Sequence, residues 1–338
     1  MKRVVFAGDR LFKKFPNRDY FCGRIGEIGA EWHFAEGADD ATLADATREA
    51  AAVVVIDRRI DRPLIEGMRR CELVMTLSVG YDCVDVAAAT DRRIPVSNCP
   101  TYCIDEVATH AITLLHAVAR KLHLVIPRTR AGNWYTDYAK PIFSFQQKLL
   151  GIIGLGRIGR ATAARAQALG MNVAAYDPYV DDDIFAMCGV RRFLDLEEML
   201  PECDSVSIHA PLNGETRSMI NAETLSLMQP HACIVNTARG AIIDEGALLA
   251  ALQQGRIAGA GLDVLEKEPP AADHPLLQEE RALVTPHMAW YSEESYTRNQ
   301  ELGMDELIRV LTGRRPQYVV NPQVFEKPRL EQVQQQEE

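Results

Sequence analysis

A glycine-rich turn set between two apolar runs constrains this chain more than any other feature. Leu149-Leu150-Gly151-Ile152-Ile153 reads as a buried strand and runs directly into Gly154-Leu155-Gly156-Arg157-Ile158-Gly159, a G-x-G-x-x-G pattern that opens a helix. Gly154 suits the tight turn, Gly156 lets the backbone approach a pyrophosphate, and Gly159 lets the new helix pack closely on the strand. The helix N-terminus then faces the phosphates. A second apolar run, Ala174-Ala175-Tyr176, ends at Asp177, eighteen residues past Gly159. A carboxylate at that place accepts both ribose hydroxyls of NAD and repels a 2′-phosphate.

Such a fingerprint normally opens its domain, yet about 150 residues precede it here, so a separate domain must come first. That leading part alternates strand signals (Val4–Ala7, Val53–Ile56, Leu73–Leu77, Pro95–Ser97) with helix signals around Gly23–Gly29, Pro63–Arg70 and Val84–Asp91. The rhythm resumes after the fingerprint with strands at Val173–Tyr176, Ser205–His209, Ile234–Asn236, Gly261–Val264 and Leu283–Thr285. Alternation of this kind predicts an α/β fold: two doubly wound parallel-sheet domains of Rossmann or flavodoxin-like type. Too few residues follow Pro286 to build a third core, so the helical pattern Ser292–Leu311 returns to the first domain and Arg314–Pro322 closes it. The cofactor domain is therefore an insertion. Expected boundaries are 1–101 plus 290–326 for the substrate domain, 102–289 for the NAD-binding domain, and a disordered Gln/Glu-rich tail at 327–338. Two crossings predict a hinged cleft, with one long helical spine at Ile104–Ile126.

A formal charge of −10 and the absence of a Lys/Arg-rich run argue against nucleic acid as a direct partner. The opening Met1-Lys2-Arg3-Val4-Val5-Phe6-Ala7 is too short in its apolar part for a signal peptide, and no apolar run is long enough to span a bilayer. The expectation is a cytoplasmic protein without a membrane partner. The eight cysteines are scattered among apolar neighbours and imply no disulfide framework, and Cys99, Cys103 and His110 match no zinc spacing.

Three polar residues stand at or just beyond predicted strand ends in the cofactor-bearing half: Arg239, Glu268 and His287. Arg239, in Asn236-Thr237-Ala238-Arg239-Gly240, can grip a carboxylate bidentately and polarise a carbonyl beside it. His287 follows Val284-Thr285-Pro286 at a strand's exit. Glu268 in Asp263-Val264-Leu265-Glu266-Lys267-Glu268-Pro269 can hold that imidazole's tautomer, and Glu266 competes with it for the role. A nicotinamide for hydride, an arginine for a 2-oxo acid and a His–Glu pair for the proton meet the needs of one reaction class, reduction of a 2-oxo acid.

These motifs resemble the D-isomer-specific 2-hydroxyacid dehydrogenases from about Leu73 to Asn321. Leu77–Asp85, the Gly154–Gly159 fingerprint, Asn236–Gly240, Gly261–Pro269 and Thr285–Trp290 stand in the family's order. The resemblance implies that Arg239, Glu268 and His287 are catalytic, choosing Glu268 over Glu266. It implies that the Val79-Gly80 backbone holds the substrate carboxylate, with Arg239, His287 and Trp290 also at the substrate. It places NAD against Val79, the turn Leu155, Gly156, Arg157 and Ile158, Asp177, Ala210, Pro211, Asn213, Thr216, Thr237, Ala238, Arg239, Asp263 and His287, with Asp263 at the carboxamide. A homodimer through the NAD-binding domains is implied on the same ground. Tyr176–Tyr179 and His287–Glu293 look most like the C-terminal-binding-protein branch, whose cleft tryptophan matches Trp290 and suits a longer apolar substrate chain. That branch supplies the alternative function, an NADH-sensing corepressor-like binding protein with little turnover. A phosphite oxidase using the same triad is a further alternative, whereas formate dehydrogenases carry Gln where Glu268 stands. The acid's side chain is expected near Asp57–Ile60, Tyr102, Trp134 and Trp290.

Overall fold

The computed structural model describes residues 1–8, 18–35, 37–56 and 58–326, so Asp57 and the tail 327–338 lie outside the described residues. The chain divides into two compact units, one from Met1–Tyr102 with Glu293–Glu338 and the other Cys103–Ser292.

In the first unit the chain runs through β1 (Lys2–Ala7), α1 (Arg18–Gly26), β2 (Ala30–Phe34), α2 (Asp40–Arg48), β3 (Ala52–Val55), α3 (Arg62–Gly67), β4 (Leu73–Thr76), α4 (Val86–Asp91) and β5 (Val96–Ser97). The strands pair in parallel in the order β2-β1-β3-β4-β5. β3 and β4 are buried at every position, which is why they read as unbroken apolar runs rather than alternating ones. Aspartates at the strand-to-helix junctions start the helices. Asp39, Asp61 and Asp85 each accept a backbone N–H two or three positions into α2, α3 and α4.

Two elements here escape the sequence reading. β2 is an edge strand with alternate positions exposed, so Ala30-Glu31-Trp32-His33-Phe34 lacks a continuous apolar run. α2 buries only Leu43 and Thr47, too sparse a stripe to register as helical periodicity.

The second unit contains α5 (Ile104–Ala119), α6 (Leu122–Arg130), β6 (Leu149–Ile153), α7 (Arg157–Ala168), β7 (Asn172–Tyr176), α8 (Asp182–Cys188), β8 (Arg191–Phe193), α9 (Leu196–Met199), β9 (Ser205–Ile208), α10 (Ala222–Leu227), β10 (Cys233–Asn236), α11 (Glu245–Gln253), β11 (Gly259–Leu262), α12 (Pro275–Gln278) and β12 (Ala282–Val284). Its parallel sheet has the order β12-β11-β10-β9-β6-β7-β8. Strand order reverses between β6 and β9, the switch point beyond whose carboxyl ends a doubly wound sheet opens a crevice.

The single spine expected over Ile104–Ile126 is two helices. Lys121 adopts a left-handed φ of 54° and its N–H closes back on Val118, ending the turn. α5 buries Val107, Ala108, Ala111, Leu114, Leu115 and Val118, whereas α6 buries none of its residues. α5 lies so close to β11 that a Cβ on Gly259 would come within 2.6 Å of Val118. Burial pushes the Cys71, Cys203 and Cys233 thiols up to about 12, so these cysteines act as small core residues.

After the second unit, α13 (Glu293–Leu311) packs on β4 of the first, where Gly303 sits directly against Leu77. Val319 then makes an antiparallel bridge to Ser97. Asn321, 2% exposed, accepts from the Val96 N–H at 2.7 Å and donates to Ile94 O and Thr90 Oγ1 at 3.0 Å. Asn321→Ala strands the Val96 amide and the Ile94 carbonyl, each worth about 1–3 kcal/mol when buried without a partner. The expected result is a clearly lower urea midpoint of unfolding, and an unchanged midpoint would show that Asn321 does not close this unit.

Candidate active site

The turn between β6 and α7 has the geometry of a phosphate cradle. Gly154 has a φ of +92°, and a Cβ there would stand 2.7 Å from the Ala210 nitrogen, so no other residue lets the ends of β6 and β9 approach this closely. A Cβ on Gly159 would meet the Gly154 carbonyl oxygen at 2.1 Å, which is how α7 packs onto its own strand. Gly156 is different: a Cβ there meets nothing within 4 Å. The space over Gly156 is therefore open. Thr237, just past β10, has a buried hydroxyl without a hydrogen-bond partner among the described residues. A cradle with open room and an orphaned buried hydroxyl at a neighbouring strand end fit a dinucleotide.

Asp177 follows β7 and accepts the Leu155 N–H of the glycine turn at 2.8 Å on one oxygen and the Tyr179 N–H at 3.0 Å on the other. The carboxylate is thus fixed against the turn, each oxygen keeping a lone pair for a further donor. Asn213 and Thr216 close the loop after β9 on itself. Asn213 Oδ1 accepts the Thr216 N–H at 3.0 Å, and Thr216 Oγ1 accepts the Asn213 N–H at 2.9 Å and donates to Pro211 O at 2.6 Å. Ala210 is buried, while Pro211 and Arg157 are exposed.

The candidate catalytic residues lie in the loops just beyond β10, β11 and β12. Arg239 is positioned by fully buried Asn236, which donates to Arg239 O at 2.8 Å and accepts from Ala238 N at 3.0 Å. The next residue, Gly240, lies so near the Leu265-Glu266 backbone that a Cβ would fall 1.9 Å from the Leu265 carbonyl carbon. That contact brings the loop after β10 against the loop bearing Glu268. Glu268 Oε1 accepts the Leu265 N–H at 2.9 Å and Oε2 accepts from His287 Nδ1 at 2.6 Å. Glu266, the competing acid, instead gives its backbone N–H to Glu245 at 2.7 Å. Burial by itself would raise the Glu268 carboxyl, but the His287 hydrogen bond and charge, the Leu265 amide and the Arg239 charge together hold it below its ordinary value.

His287 has a φ of 52°, a conformation that costs a non-glycine residue on the order of 1 kcal/mol or more and that its surroundings must enforce. Its N–H reaches Asp263 O at 2.8 Å and its carbonyl accepts the Trp290 indole N–H at 3.0 Å. With Nδ1 on Glu268, Nε2 is left without a partner among the described residues. Asp263 is buried with its carboxylate on Thr285, Met288 and Ala289.

In the first unit, the Leu77–Gly80 loop beyond β4 has its carbonyls taken one by one. Asn299 donates to Leu77 O at 3.0 Å, the Cys99 N–H to Ser78 O at 2.9 Å, Asn98 to Val79 O at 2.7 Å and Ser78 Oγ to Gly80 O at 2.5 Å. The Val79 and Gly80 N–H groups are left without partners among the described residues, an arrangement suited to an anion. No sequence pattern gives Asn98, Asn236, Asn299 or Thr285 its structural role. Each is a polar residue at or near the edge of an apolar run or on a long helix, and only the fold shows which carbonyl or carboxylate it meets.

A doubly wound sheet with a phosphate turn at its switch point, and an Arg with a His–Glu pair at the adjoining strand ends, defines a dinucleotide-dependent oxidoreductase. Residues 112–289 match the family model described as D-isomer specific 2-hydroxyacid dehydrogenase, NAD binding domain. The chain is 39% identical over 277 residues to a glyoxylate reductase of Korarchaeum cryptofilum, covering 81% of this chain and 83% of that protein. It is 36% identical over 298 residues to a D-3-phosphoglycerate dehydrogenase of Methanocaldococcus jannaschii, covering 88% of this chain but only 56% of that longer protein. The solved D-lactate dehydrogenase of Aquifex aeolicus, complexed with NAD and lactic acid, superposes with a TM-score of 0.82 at 27% identity, over 92% of this chain and 96% of that one. The chain belongs to the D-isomer-specific 2-hydroxyacid dehydrogenase family.

A carboxyl held below its unfolded value contributes stability that is present above the ordinary value near 4.5 and is lost as pH falls through the lower folded value. Wild type should therefore melt above Glu268→Gln at neutral pH, and the carboxylate's contribution to that margin should be lost only as pH falls below about 4.5. Melting temperatures of both proteins across pH check this, and a margin that disappears already above that pH would contradict the pairing.

Proposed function

We propose that the protein is an NAD-dependent 2-oxo acid reductase that forms the D-2-hydroxy acid. The observation that carries this reading is the oriented imidazole: Glu268 holds His287 Nδ1 at 2.6 Å, so that Nε2 is the nitrogen left to exchange a proton. When bound, the nicotinamide supplies the hydride. His287 delivers its Nε2 proton to the carbonyl oxygen, and the Glu268 carboxylate stabilises the imidazolium before transfer and fixes its plane. Within the second unit Arg239 anchors the substrate carboxylate, which fixes the acid's orientation for protonation; within the first unit the Val79 and Gly80 amides are donors suited to a carboxylate.

Asp177 supports NAD over NADP, because a carboxylate fixed at 2.8 Å from the turn amide repels a 2′-phosphate. The names of relatives favour short acids such as glyoxylate, whereas Trp290, anchored through its indole nitrogen to the His287 carbonyl, supports a longer apolar chain. We also propose a homodimer through the second unit. Leu122, Ile126, Trp134, Tyr135 and Phe143 are 42%, 46%, 84%, 76% and 49% exposed, and a second copy would cover them.

The test is oxidation of NADH, and separately of NADPH, by the purified protein against glyoxylate, hydroxypyruvate, pyruvate, phenylpyruvate and 4-methylthio-2-oxobutyrate, with light scattering on the same sample. Turnover of at least one acid, faster with NADH, by a protein of twice the chain mass is expected. Tight NADH binding with no turnover and an oligomeric state that changes on adding NADH would replace the enzyme reading with that of an NADH sensor.

A further inference from the structure

Asp263 is 1% exposed, yet its carboxylate gathers the whole segment that presents His287. Oδ1 accepts from Thr285 Oγ1 at 2.6 Å and from the Met288 N–H at 3.0 Å, and Oδ2 accepts the Ala289 N–H at 2.8 Å. The Asp263 carbonyl takes the His287 N–H at 2.8 Å. Every residue from 285 to 289 except Pro286, which has no N–H, is thus tied to this one aspartate. The strained φ of 52° at His287 needs that many ties.

The Thr285 hydroxyl has a single hydrogen, and it goes to Asp263, because a carboxylate only accepts. Towards His110 Nε2, 3.1 Å away on α5, the same hydroxyl can then only accept. His110 must therefore carry its hydrogen on Nε2, and that nitrogen also stands 3.6 Å from Asp263 Oδ1. A chain of donors runs in one direction, from His110 Nε2–H to Thr285 Oγ–H to Asp263. A hydroxyl otherwise free to rotate is locked by the histidine behind it.

We infer that Thr285 and His110 are positioning residues for the proton transfer. They touch neither substrate nor cofactor; they act by holding the Asp263 carboxylate in the orientation that fastens residues 287–289. The inference rests on the reading of His287 as the proton donor.

The test compares Thr285→Val, which keeps the shape and removes the hydroxyl, Thr285→Ser, which restores it, and His110→Phe, which removes the donor. Reduction kinetics of the preferred 2-oxo acid and nitrogen-15 NMR of the imidazoles are measured on each. The expected result is a fall in kcat of about 10- to 100-fold in Thr285→Val and His110→Phe, the cost of a misplaced catalytic group, with a smaller change in KM. Thr285→Ser should recover most of the loss. In the wild type, the His110 hydrogen should be found on Nε2, and Thr285→Val should release that tautomer and shift the His287 resonances. Wild-type kcat in Thr285→Val, or a loss in Thr285→Ser equal to that in Thr285→Val, would overturn the inference. If no 2-oxo acid is reduced by the wild type, the functional reading fails instead. The relay then stands or falls on whether His287 resonances move in Thr285→Val.

Discussion

A parallel sheet covered on both faces has nowhere to present polar side chains except beyond its strand ends, and this constraint governs the chemistry of the second unit. Strands β6, β9, β10 and β11 are buried almost throughout. The glycine turn, Asp177, Asp263 and Thr285 follow directly on strands, and Arg239 and His287 lie a few residues further into the same loops, where the backbone leaves the ladder and its groups need new partners. Close approaches at Gly154 and Gly240 bring those loops together, one pair at the cofactor turn and one at the Arg239 and Glu268 loops.

Around His287 the electrostatics and the backbone geometry depend on each other. Glu268, with its side chain one-third exposed, stays below the ordinary carboxyl value only because His287, Leu265 and Arg239 converge on it. His287 in turn occupies a left-handed backbone conformation because Asp263 and Trp290 take its N–H and C=O. The first unit solves a related problem with neutral groups. Asn98, Asn299 and Ser78 occupy the carbonyls of this loop, and the Val79 and Gly80 N–H groups are left without partners among the described residues.

Much of this is legible in the sequence alone, for reasons that differ by element. Strands such as β3 and β6 and the G-x-G-x-x-G turn announce themselves because a strand covered on both faces is mostly apolar and a turn this tight favours glycine, although β9 buries Ser205 and Ser207 as well. The Asp39, Asp61 and Asp85 caps are visible only in the structure, where each side chain accepts an N–H of the helix it starts. Edge strand β2 and helix α2 are not legible in the sequence either, since neither buries a continuous or periodic stripe. The break at Lys121 was hidden because the apolar residues continue past it while their burial stops. At the site, residue spacing leaves Glu266 and Glu268 equal and the family resemblance favours Glu268; in the structure Glu268 meets His287 Nδ1 while the Glu266 N–H goes to Glu245. Thr285 and His110 lie 175 positions apart, a separation no local pattern bridges.

The proposed role of His287, oriented by Glu268 to exchange the proton while hydride comes from the dinucleotide, is tested by kcat and the NADH dissociation constant of His287→Ala beside the wild type. The expected result is a loss of kcat of about 10²- to 10⁴-fold, the usual contribution of a positioned acid or base, with NADH binding little changed. Equal losses in turnover and in NADH affinity would contradict it, and would make His287 a structural part of the cofactor site.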